Sequence, residues 1–143
     1  MRIRCISISL SMVMVFLSGM AFAHGTEKHG AMVPVDARMK KLHAMMPMFS
    51  VASAKLETAL EHGDAVAAEA EAGKITAAIP DLKKSKPHKN IKQRKNFVEH
   101  ASNLEETMNP TIDLVKKGDF AGAKTSFKKV EKVCAACHAT FRD

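Results

Sequence analysis

Two thiols and an imidazole stand together in Cys134-Ala135-Ala136-Cys137-His138. Cysteines at i and i+3 lie one turn apart on the same side of a helix, so both sulfurs can reach one flat molecule. Each thiol can add to a vinyl group of the same porphyrin, forming a thioether. The adjacent imidazole then projects toward the iron as an axial ligand. Other chemistries fit less well. A redox C-x-x-C draws its reactivity from a helix N-terminus, where the dipole lowers the thiol pKa, whereas this pair falls toward the C-terminal end of a helical segment. A structural zinc site needs four close ligands, and the chain has no second cysteine pair. A disulfide between cysteines three apart closes too small a loop to constrain the unfolded chain much. The C-C-H order therefore points to one covalently bound haem c, tethered by Cys134 and Cys137 with His138 on the iron.

Covalent tethering suits an exported protein, and the N-terminus reads as an export signal. Arg2 and Arg4 precede an apolar run from Ile6 to Gly19, and Ala21-Phe22-Ala23 is an A-x-A cleavage site. The run is too short for a convincing membrane span. Cleavage after residue 23 removes Cys5, leaves 120 residues, and lowers the net charge from +7 to +5 through the two lost arginines. Such a chain holds one domain with its own core. Periplasmic location follows, with no membrane span after cleavage. Residues 24–34 read as a flexible leader and 35–143 as the folded domain.

The folded part has four apolar-periodic segments and no alternating, strand-like stretch. The first, about 35–62, carries Val35, Met39, Leu42, Met46, Phe49, Leu56 and Leu60 at steps of three and four, with Ser53 filling one slot. Pro47 inside it is expected to kink the helix or split off its first turns. Gly63-Asp64 gives a stop and an N-cap. The second segment, about 64–82, places Ala68, Ala72, Ile75, Ile79 and Leu82 on one face, with Pro80 expected to loosen its end. KKSKPHKNIKQRK, residues 83–95, has seven cations and no acid and reads as a loop into a third helix, about 90–117. That helix points Phe97, Ala101, Leu104, Met108, Ile112 and Val115 inward, with Pro110 a further kink. After Gly118-Asp119, the residues Phe120, Ala123, Phe127, Val130, Cys134, Cys137 and Phe141 step by three and four in strict alternation. Four amphipathic helices with short loops predict an all-α, antiparallel up-down four-helix bundle.

The pattern C-x-x-C-H-x-x-F-R, completed by Phe141 and Arg142, resembles the class II c-type cytochromes, the cytochrome c′ family with its methionine-ligated relatives. IKQRKNF, residues 91–97, is similar to the start of that family's third helix. The resemblance implies a haem pocket that includes Phe141, Arg142 and an arginine of the first helix, here Arg38, with the distal residue four positions later at Leu42. It also implies possible dimerisation through helix one. An antiparallel bundle sets the end of helix four beside the start of helix one, so ARMKKLHAMM, residues 37–46, covers the iron's sixth position. Leucine cannot ligate. Met39, Met45 and Met46 offer thioethers and His43 an imidazole, although Met is also a good gap-filler in cores. The alternatives are an open five-coordinate iron, methionine ligation and histidine ligation.

Two functions follow from the resemblance. The first is a monohaem carrier of single electrons between redox partner proteins. The second is a protein that binds a small gas, nitric oxide or carbon monoxide, on an open iron. No side chain is set up as a nucleophile or general base, so no enzyme is expected. The basic stretch 83–95 can steer an acidic partner, or can be a solvated loop. His62, His88 and His100 read as solvated. Nucleic-acid binding is disfavoured by export and by the lack of stacking aromatics, with no Trp and no Tyr.

Overall fold

The connections between helices show first why this chain folds as it does. Gly63 takes the left-handed conformation (φ 69°) that an L side chain rarely adopts, and its N–H closes on the carbonyl of Ala59. Asp64 follows at once as an N-cap, its Oδ1 accepting from the backbone N–H of Ala67 at 2.9 Å. Asp119 repeats the device for the last helix, accepting from Gly122 N at 2.8 Å. In the computed structural model, which describes residues 36–142, these signals bound α1 (Ala37–His62), α2 (Ala65–Lys84), α3 (Arg94–Lys116) and α4 (Phe120–Phe141). No strand occurs among the described residues. The expectations for the signal segment 1–23, the leader 24–34 and Val35 lie outside them.

The four helices form the expected all-α bundle. α1 packs on α2, α2 on α3 and α3 on α4, while α1 and α4 meet over a smaller region. Leu56, Ile79, Met108 and Val130, one from each helix, are at most 1% exposed. Each contributes roughly 1.5–3 kcal/mol by leaving water. All five residues expected on the inner face of α2 are buried.

Three expectations are refined. Pro47 does not split off the first turns of α1, which runs unbroken to His62, and α2 continues past Pro80 to Lys84. Both prolines lie on exposed positions, where each removes one backbone bond without a ring clash against the core. α3 starts at Arg94 rather than near residue 90, because Asn90 adopts a left-handed φ of 53° that no helix can include. On α3 Ile112 packs against the core only partly buried, and Thr111 beside it is fully buried. Thr111 donates to Ser126 of α4 at 3.0 Å, which satisfies both hydroxyls in the interior.

Candidate haem site

The motif occupies the final two turns of α4, and the end of that helix is held by the α2–α3 loop. The last carbonyls of a helix lack intrahelical donors. Here Lys89 N–H donates to the carbonyl of Phe141 at 3.2 Å and Asn90 Nδ2 to that of Thr140 at 2.7 Å. Arg142 N–H closes on His138 at 3.0 Å. The loop is itself pinned at both ends. Pro87 is fully buried, and the Arg94 guanidinium donates to the carbonyls of Lys83 and Ser85. These bonds answer why a highly charged, proline-containing loop is ordered.

Beside this end of the bundle lies a cavity of about 560 Å³, within the range that accommodates a cofactor. Its α4 wall carries Val133, Cys134, Cys137, His138, Phe141 and Arg142. Its α1 wall carries Leu42, His43, Met46, Pro47, Phe49 and the serines 50 and 53, at the three-and-four spacing of one helical face. α3 supplies Phe97, His100, Ala101 and Leu104. Phe141 is 3% exposed and meets Phe97 edge to face, with centroids 5.2 Å apart.

Cys134 and Cys137 are half-buried and unbridged. Burial, and next the neighbouring Cys134, push the Cys137 thiol up to about 11, and burial raises Cys134 in the same direction. This is the reverse of the acidic thiol a redox C-x-x-C requires. Burial first, then the charge of Arg142, hold the His138 imidazole below its ordinary range. It is therefore neutral near pH 7, the form whose lone pair can bind a metal. No cluster of three or more metal-ligating His, Cys, Asp or Glu side chains occurs among the described residues, so a bare ion has no cage here. Two thiols a turn apart on the wall of a mainly apolar cavity, with a neutral imidazole beside them, fit a tethered haem.

A family model described as Cytochrome C′ matches residues 26–142. The chain belongs to the cytochrome c′ family. Comparison with curated proteins and with solved structures finds no match. The family is one of haem c proteins, and its members serve as electron carriers or gas binders. No helix among the described residues is long and apolar enough to cross a membrane.

The sequence-derived distal candidates of this cytochrome separate clearly. Leu42, Met46 and His43 line the cavity, whereas Met39 and Met45 do not. Met45 is 7% exposed and belongs to the hydrophobic core. Arg38 does not line the cavity either, since its guanidinium lies 3.3 Å from Asp36 at the start of α1. His88 and His100, read from sequence as solvated, are half-buried and line the cavity. His62 is exposed, on the carbonyl of Thr58. The i, i+3 relation of Phe97 and His100 could have flagged His100. His88 carries no periodic signal, because it lies in a loop placed by bonds from Lys89 and Asn90 to α4 and by the burial of Pro87.

Proposed function

We propose that this cytochrome c′ protein is a periplasmic carrier of single electrons, with one haem c tethered to Cys134 and Cys137 and its iron held by His138. The supporting observation is the shared cavity, which sets that thiol pair and neutral imidazole on one wall against the apolar Leu42, Met46 and Phe49 on another. A bound haem c supplies a one-electron iron couple. The protein's residues do the rest. His138 offers Nε2 or Nδ1 as ligand, Leu42 and Phe49 keep water off the facing side, and Phe97 and Phe141 make the surroundings apolar. Met46 brings a thioether to the same wall. If it held a haem iron it would favour the ferrous state, since Met/His ligation raises the potential.

The basic stretch contributes to partner choice in this reading. Lys83 is engaged by Glu105 at 2.7 Å and Lys86 by Asp36 at 3.1 Å, while Lys84, Lys92 and Lys95 are exposed. Exposed cations on this stretch would steer an acidic redox partner at low ionic strength.

Leu42 supports the second reading, an open iron that binds nitric oxide or carbon monoxide, because it too lines the cavity and cannot ligate. Protein made in a host with c-type maturation is expected to carry one haem by mass spectrometry, lost in Cys134→Ala/Cys137→Ala. An unmodified wild-type mass refutes the haem assignment. Optical spectra of the reduced protein with carbon monoxide decide between the functions. A low-spin spectrum that ignores the gas, turned high-spin by Met46→Ala, supports the carrier. A high-spin spectrum that shifts with the gas establishes the open site instead.

A further inference from the structure

The cavity is lined by four histidines and an arginine, and by no carboxylate. One of the four, His138, is the proposed iron ligand. His43 of α1 and His88 of the α2–α3 loop form a pair that the carrier function above leaves unused. Their rings stack with centroids 4.6 Å apart and an interplanar angle of 12°. Their Nε2 atoms approach to 2.6 Å, which requires one to donate and the other to accept. His43 is exposed and His88 half-buried, so the pair stands at the rim of the cavity. It is also pre-positioned: Pro87 is buried on one side of His88, and on the other Lys89 N–H is bonded to Phe141.

A haem brings two carboxylates with it. Its propionates leave the porphyrin edge opposite the vinyl groups, so a haem tethered at Cys134 and Cys137 would need donors for them from outside that turn of α4. A cavity that takes a dianionic edge needs donors and no competing acid. The rim pair meets that need from the walls made by α1 and the loop. Parting of the Nε2···Nε2 contact would let each ring turn an N–H to a carboxylate oxygen.

We propose that His43 and His88 form the propionate clasp of this cytochrome, holding the haem's carboxylate edge and raising its reduction potential. The proposal rests on the haem assignment above. It makes the two residues positioning residues that act on the electron carrier from outside the iron's coordination shell. Donors to the propionates offset negative charge that otherwise favours ferric iron, so losing them lowers the potential.

The test uses the full-length, matured protein and its His43→Leu, His88→Leu and His88→Gln variants, all checked by mass for covalent haem. Midpoint potential, spin state and the propionate bands in resonance Raman spectra are read together. Each Leu variant is expected to shift the ferric-to-ferrous ratio toward ferric by several-fold to about tenfold, tenfold being 59 mV for one electron. The propionate bands move and the spin state stays as in the wild type. His88→Gln keeps an N–H donor and is expected to stay near the wild-type potential. Unchanged potential and bands in both Leu variants overturn the clasp. So does a change of spin state, which identifies the ring as an iron ligand, and so does a Gln variant that behaves like Leu. Wild-type protein without covalent haem instead overturns the underlying assignment.

Discussion

Replacing the two phenylalanines that meet behind the haem motif measures how firmly the cavity wall is built. Phe97 and Phe141 are 2% and 3% exposed, with ring planes at 86°. Truncating a buried phenylalanine to alanine costs about 3–5 kcal/mol. Leucine keeps most of the apolar volume, and such a swap costs less than about 1.5 kcal/mol. The edge-to-face contact adds about 0.5–1.5 kcal/mol beyond area burial, and Leu on either side removes it. Phe141→Leu is therefore expected to cost about 0.5–3 kcal/mol on adding those two contributions. In the cycle of Phe97→Leu, Phe141→Leu and the double variant, the coupling should be about 0.5–1.5 kcal/mol. Urea unfolding of the matured protein, followed by far-ultraviolet circular dichroism, provides the four free energies. Phe141→Ala should lower the midpoint temperature by roughly 4 °C or more per kcal/mol lost, given a domain of about 100 residues. A coupling within about 0.3 kcal/mol of zero would falsify the view that these rings act as a pair.

Two further predictions concern polar groups. Thr111→Val leaves the Ser126 hydroxyl without its buried partner and should cost about 1–3 kcal/mol. Adding Ser126→Ala should restore part of that loss, and a double variant weaker than the sum of the singles would refute the pairing. Asp36 is lowered from 3.8 to about 2, first by the backbone N–H of Arg38 and then by the side chains of Arg38 and Lys86. A carboxylate held low in the folded state stabilises above its unfolded pKa, and that contribution fades as pH falls from about 4 to 2. Asp36→Asn should therefore lie below the wild type in stability at pH 6 and converge with it near pH 2. Parallel curves throughout that window contradict the assignment.

Helix α2 shows what periodicity can deliver. It is buried along a single stripe, and that stripe is plain in the spacing of its five apolar residues. α1 is harder because it serves two surfaces at once. The stripe through Leu42, Met46, Phe49 and Ser53 faces the cavity, while Met45, Ala52, Leu56 and Ala59 are buried in the core. The expected stripe crosses from the cavity face at Met46 and Phe49 to the core at Leu56 and Leu60 and passes over Met45. The C-x-x-C-H spacing is local chemistry and was readable at once. His88 was not, since its place depends on bonds between the loop and residues about fifty positions away. Thr111 was passed over in favour of Ile112 because hydrophobicity is blind to a hydroxyl whose partner, Ser126, lies on another helix.

The uneven packing of the helices has a mechanical side. α1–α2, α2–α3 and α3–α4 are broad seams, whereas α1 and α4 touch over much less. The bundle can be pictured as a book whose spine is the α2–α3 seam and whose leaves are the two flanking helix pairs. The cavity has walls from both α1 and α4, so opening the leaves would widen it. Small shear between packed helices is an ordinary protein motion. Shear between the two leaves would therefore set how hard the walls press on whatever lies between the pages.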